Sequence, residues 1–143
     1  MPEEAAPPAP PPSTEEARKW IGHEVDEIGG AKIGRVHEFF ADTASGEPTW
    51  LIAALSRGGL SFRRRPRRLV AIPLRDCAGG GGRVWTAHER ETIGTAPTVD
   101  PSRPLLHEHE IAICSHYGIG ERVGRAAEVK RRAEGAVTSR PLP

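Results

Sequence analysis

Apolar residues in this chain come in short bursts, separated by glycine, proline and polar clusters. Thr49–Leu55 (TWLIAAL) is a nearly continuous apolar run. It is shorter than most helices and turn residues bracket it, which predicts a central strand buried on both faces. Leu69–Pro73 reads as a second buried strand, with Leu69, Val70, Ile72 and the following Leu74 as core residues. Ile21–Asp26 is a short opening strand with Trp20 as its apolar anchor, and a turn at Glu27–Gly30 follows. Lys32–Ala41 is less regular. Ile33 and Val36 are out of phase for a flat strand and Gly34 lies between them. A bulge or sharp bend there would restore one inward face. Asp42–Gly46 closes a hairpin, Gly79–Gly82 forms a four-glycine turn, and Arg83–Thr86 is a last short strand.

The character of the chain then changes. His88–Thr92 has the length of one helical turn. Ala96–Pro101 (APTVDP) is an extended crossing segment, because residues before proline avoid the α region. Leu106–Tyr117 is the one clear helix: Leu106, Ile113, Cys114 and Tyr117 share a face and Gly118 stands where a C′ glycine stops it. Glu121–Glu134 is at most a weak, exposed helix. No sequence period repeats.

These elements predict a mainly β fold, a small SH3-like six-stranded antiparallel barrel with a short C-terminal helix. The 143 residues leave room for one domain plus tails. Residues 1–16 hold six of the 14 prolines and almost no core-forming side chains, so they are expected to form a disordered acidic arm. Residues 17–120 form the domain, and 121–143 a basic flexible tail.

Charge adds a pattern. Between Arg57 and Arg83 eight arginines face Asp76 alone, whereas Lys19–Ser56 and Val84–Gly118 are each net −3. Arginine outnumbers lysine 17 to 3, which a GC-rich genome explains as well as phosphate binding does. The N-terminus lacks the basic and apolar regions of a signal peptide, and no apolar stretch approaches the roughly 20 residues of a membrane span. Cys77 and Cys114 lack metal-ligand spacing and read as free thiols in a reducing compartment. The expectation is a cytoplasmic protein with no direct membrane insertion.

Several pieces, in this order, resemble one known family. Trp20–Val25 (WIGHEV) is similar to the opening strand of PRC-barrel domains. Gly30–Val36 (GAKIGRV) resembles the family's second strand, Gly46–Leu51 its turn into the third, and Leu69–Leu74 (LVAIPL) its fourth. Ala96–Asp100 and His116–Gly118 resemble the trailing segment of single-domain actinobacterial members. The same barrel occurs in the cytoplasmic part of the reaction centre H subunit and in the C-terminal domain of a ribosome maturation factor. The resemblance implies a binding scaffold, and a fold alone does not set a function. The chain departs from the family pattern at two places: Leu106 and His107 stand where a Ser or Thr cap and a proline usually start the helix, and the loop before Leu69 is more basic.

The sharpest candidate site is that loop. Arg63, Arg64, Arg65, Arg67 and Arg68 surround Pro66 on an expected hairpin between the two buried strands. Guanidinium groups pair bidentately with phosphates and carboxylates, so five of them form an anion-attracting patch, or else a solvated loop. No aromatic interleaving supports stacked bases; Phe62, the one aromatic nearby, reads as hairpin packing. His107 and His109, two apart on the expected helix, face different directions, and His109 and His116, seven apart, are too widely spaced to chelate one ion easily. Gly79–Gly82 is not followed by the lysine of a phosphate loop. Glu89, Glu91, Glu108 and Glu110 surround no recognisable base or nucleophile. Trp20, Trp50 and Trp85 are barrel anchors, and one left partly exposed would mark an interface.

The sequence therefore predicts no enzyme, no cofactor, no metal and no small-molecule substrate. The expected function is a non-catalytic protein-interaction module that self-associates, as a homodimer. The first alternative is an RNA- or ribosome-associated accessory factor using the arginine loop. The second, by analogy with the H subunit, is an accessory of a membrane electron-transfer complex.

Overall fold

The computed structural model describes residues 12–56, 68–119 and 136–142. Arg63, Arg64, Arg65, Arg67, Phe62 and the weak helix at 121–134 lie outside the described residues.

The chain enters through a helix, α1 (Thr14–Trp20). Ser13 caps it by accepting the Glu16 N–H at 3.2 Å, and Ala17 and Trp20 are its buried residues. Four strands follow in order: β1 (Glu24–Glu27), β2 (Lys32–Asp42), β3 (Pro48–Leu55) and β4 (Leu69–Pro73). A 3-10 turn at Leu74–Asp76 leads into a hairpin of β5 (Cys77–Gly80) and β6 (Arg83–Thr86). The remaining elements are α2 (Arg90–Gly94), β7 (Leu105–Leu106), α3 (His107–His116) and β8 (Val137–Pro141).

The sheet runs β4-β3-β2-β1-β6-β5, with β8 added to the far end of β2 and β7 paired to β8. Its architecture is mainly β and mostly antiparallel, as the sequence predicts. Three details differ from six antiparallel strands closed into a barrel. There are eight strands among the described residues, β1 and β6 run parallel, and β4 and β5 stand at opposite ends of the path without pairing. The parallel pair arises because β6, the return strand of the β5 hairpin, has β5 on one side and on the other lies along β1 in the same direction.

The irregularity in β2 is where the sequence places it. Against β1, Val25 pairs with Gly34 and Asp26 with Lys32, so Ile33 is the extra residue. Against β3, Val36 pairs with Ala53 and Glu38 with Ile52, so His37 is a second one. Each insertion resets the alternation, and Ile33 and Val36 are both buried. Gly34 is required at that bend: a Cβ there would lie 2.0 Å from the Ala54 carbonyl oxygen. Trp50, Leu51, Ile52 and Ala53 are fully buried, so the TWLIAAL run is a central strand.

Both expected tails carry ordered structure. Residues 14–20, partly inside the expected N-terminal arm, form α1, because Ser13 and the Ala17/Trp20 face outweigh the preceding prolines. Residues 137–141, inside the expected flexible tail, form β8 against Phe40–Asp42 and β7. Leu142 N–H donates to Phe39 O at 2.9 Å, and Ser139 is fully buried.

α3 spans 107–116 and ends as the sequence predicts, in a Schellman arrangement. Gly118 has φ +71°, Ile119 N–H bonds Cys114 O and Gly118 N–H bonds Ser115 O. Its start has no Ser or Thr; the His109 Nδ1 accepts the Leu106 N–H at 3.2 Å in their place.

Candidate interaction surface

Parallel pairing of β1 with β6 sets one face of the sheet outward. Trp85 is opposite Asp26 of β1 and opposite Ala78 of β5, so all three project to the same side. Val84, one residue earlier, turns inward and is fully buried. Trp85 is 37% exposed, and Ile28, two residues beyond Asp26, is 71% exposed. The Ile28 N–H donates to Thr86 O at 3.0 Å, which holds it beside β6. Trp85 is thus the tryptophan left partly open, whereas Trp50 and Trp20 are buried.

A charged cluster borders this apolar pair. Arg83 donates to Asp26 Oδ2 at 2.6 Å and approaches Glu24 Oε2 at 3.7 Å; Lys32 lies 3.3 Å from Glu24 Oε1. The hydrogen bond from Lys32, its charge and that of Arg83 hold the Glu24 carboxyl below its usual range. Asp26 is buried, so its pairing with Arg83 removes the cost of an isolated charge.

The opposite face of β5 is packed. A Cβ on Gly79 would fall 2.5 Å from Cε2 and Cζ2 of Trp20, so the indole lies directly on the glycine. Trp20 in turn meets Phe39 with ring centroids 6.1 Å apart. α1 therefore closes the inner side of the β5–β6 hairpin while its outer side stays open.

Arg68, the one described member of the arginine run, sits at the start of β4. Its guanidinium donates to the carbonyls of Gly94 and of Ala96, the latter at 2.7 Å. It caps the end of α2, a role its place in a basic run concealed.

Two polar clusters were not legible from spacing. Glu110 Oε2 accepts both the Trp50 indole N–H at 2.8 Å and the Ser139 hydroxyl at 2.9 Å, joining α3, β3 and β8. His88 Nε2 lies 2.7 Å from Asp76 Oδ2, and the His88 ring is 4.7 Å from that of Tyr117, whose hydroxyl donates to Ala71 O. Burial pushes the Cys77 thiol up to about 12 and raises Tyr117 above its ordinary value. That makes Cys77 a poor nucleophile at neutral pH, because the thiolate is the reactive form. Among the described residues no group of three or more His, Cys, Asp or Glu gathers to hold a metal ion.

A separate cavity of about 470 Å³ lies between the 97–106 segment and α3, walled by Val99, Pro104, Leu105 and Ile113. Asp100 and Arg103 pair at its rim, 3.6 Å apart. It shares no residue with the Trp85 face. No described helix is long and apolar enough to cross a membrane.

Comparison with protein families matches residues 12–87 to the PRC-barrel domain. These residues run from the approach to α1 through the end of β6, the elements that build the Trp85 face. No curated protein matches the chain.

Proposed function

The chain belongs to the PRC-barrel family, and from that premise we propose that it is a non-catalytic protein-interaction module that associates with itself. The carrying observation is the open Trp85–Ile28 face. Large apolar side chains left in water at a β-sheet surface cost free energy that association recovers, and tryptophan is enriched where interfaces concentrate their energy. The Arg83–Asp26–Glu24–Lys32 cluster supplies the polar rim that such a patch has in protein interfaces. Light scattering on the wild type and on a Trp85→Ser, Ile28→Ser double variant tests the reading. Association in the wild type that weakens in the variant supports it; a wild type that stays monomeric at high concentration overturns it.

A second reading rests on the sequence of Arg63, Arg64, Arg65, Arg67 and Arg68. In this reading the run binds an RNA or ribosomal surface as a local positive patch. Arg68 spends two N–H groups on the Gly94 and Ala96 carbonyls, so the other four carry most of the contact. Changing those four to glutamine should remove any salt-sensitive RNA retention without lowering the melting temperature. Retention that survives the change, or is absent from the wild type, rejects this reading.

A further inference from the structure

Resting on the self-association reading, we infer that β5 is the strand through which two copies pair, antiparallel and edge to edge, about a twofold axis at Gly79. In an antiparallel pair each residue turns both its N–H and its C=O either toward its partner strand or away from it, and the direction alternates. Ala87 N–H donates to Asp76 O at 3.0 Å, so residue 76 faces the β6 side. Alternation then places Ala78 and Gly80 toward β6, opposite Trp85 and Arg83, and turns Cys77 and Gly79 away. The turn agrees: Gly81 and Gly82 have φ of +60° and +82°, the two-residue loop that joins a hydrogen-bonded pair such as Gly80 and Arg83. The Cys77 N–H is taken by Leu74 O. Left facing outward are the Gly79 N–H, the Gly79 C=O and the Cys77 C=O. No described residue hydrogen-bonds to them.

The edge beyond β4 and the free side of β2 are covered. Beyond β4, Val99 N–H bonds Leu69 O at 2.8 Å, Val70 bridges Thr98, and the Tyr117 hydroxyl takes Ala71 O at 2.7 Å. The free side of β2 carries β8. On β5 no described strand covers the outer side. The strand has no charged residue, no proline and no bulge, and Ala78, Gly79 and Gly80 are exposed.

A second copy fits this edge by symmetry. Gly79 offers one donor and one acceptor on the same side, so two Gly79 residues related by a twofold exchange both bonds. The same axis sets Ala78 opposite Gly80 of the other copy, and neither position brings a bulky or charged side chain. The two Trp85 side chains then stand on the same outer face of the joined sheet, each one strand in from the junction. The pairing joins two six-strand paths into one continuous sheet.

Ala78→Lys tests the edge. It keeps the Ala78 backbone bonds to β6 and places one ammonium from each copy beside the axis. The dimer dissociation constant should rise roughly tenfold or more, because like charges are brought together at an interface, while the melting temperature of dilute protein stays unchanged. Register is tested separately by oxidising full-length Ala78→Cys and Gly80→Cys variants, alone and mixed. A Cβ at Gly80 meets only ordinary contact, 3.7 Å from Trp85, so both variants are compatible with the fold. The mixture should cross-link faster than either variant alone, since positions 78 and 80 face each other only between copies. A wild-type dimer that Ala78→Lys does not weaken, with no preferential cross-link in the mixture, overturns the β5 assignment while self-association stands. A wild type that never dimerises overturns both.

Discussion

The indole N–H of Trp50 donates to Oε2 of Glu110 across 2.8 Å, and that same oxygen accepts the Ser139 hydroxyl. One carboxylate thereby ties the central strand to the helix after it and to a strand near the end of the chain. Trp50 is fully buried, so Trp50→Ala should destabilise by ~3–5 kcal/mol through lost transfer energy and the cavity left behind. Glu110→Ala removes the acceptor for two donors and should cost about 1–3 kcal/mol. Urea unfolding checks both. A Glu110→Ala chain as stable as wild type would show that water replaces the carboxylate without loss.

Deleting residues 136–143 tests the same junction from the other side. Without β8, the Ser139 hydroxyl and the pairing to Phe40–Asp42 are lost, and the Phe39 and Phe40 end of β2 is uncovered. The melting temperature should fall by more than about 5 °C, the shift expected for a kcal/mol or more in a domain this small. A fall of less than that would make β8 an accessory decoration of the sheet.

Neighbouring glycines should respond differently to alanine. At Gly79 the added methyl meets the Trp20 ring at 2.5 Å, and Gly79→Ala should cost about 1–3 kcal/mol as Trp20 is displaced. At Gly80 the nearest atom is 3.7 Å away and φ is not positive, so Gly80→Ala should be neutral within about 1 kcal/mol. Thermal melts of the two variants decide it; equal effects would mean that Trp20 does not rest on β5.

The contrast shows what sequence patterning can carry. TWLIAAL, the Ile33–Gly34–Val36 irregularity and the Gly118 stop were legible because each is a local rule: burial by apolar run length, a phase slip, a left-handed φ. The docking of β8 was not. Val137–Pro141 has only one apolar side chain besides its proline, and its stability comes from backbone bonds to β2 and from Glu110, 29 residues away from Ser139. The open edge at Gly79 was hidden for a related reason. A four-glycine stretch reads as a turn, and only the parallel return of β6 beside β1 shows that half of it is an edge strand. Arg68 was misleading in the opposite direction, since a helix-end cap and a solvated loop look alike in a basic run.

Stability at alkaline pH should report the Cys77 thiol. Its value is raised by burial from 9.0 to about 12, so the folded state keeps the proton that the unfolded chain gives up. The contribution is complete below about pH 9 and is lost progressively as pH rises towards 12, and Tyr117, also raised by burial, acts in the same direction. Unfolding free energy should therefore fall with pH in that window, and fall less steeply in a Cys77→Ala variant. Equal slopes for the two proteins would place the thiol in contact with water.

Amide hydrogen exchange at Gly79 measures the proposed pairing most directly, because that N–H points away from β6 and no described residue accepts it. Exchange followed residue by residue at low and high protein concentration should show Gly79 unprotected when dilute and at least about tenfold slower when concentrated, as expected for an amide bonded in the dimer but not in the monomer. The Ala78 and Gly80 amides, already bonded to β6, should change far less. A Gly79 amide that exchanges equally fast at both concentrations, in a sample where the protein is dimeric, would contradict pairing through β5.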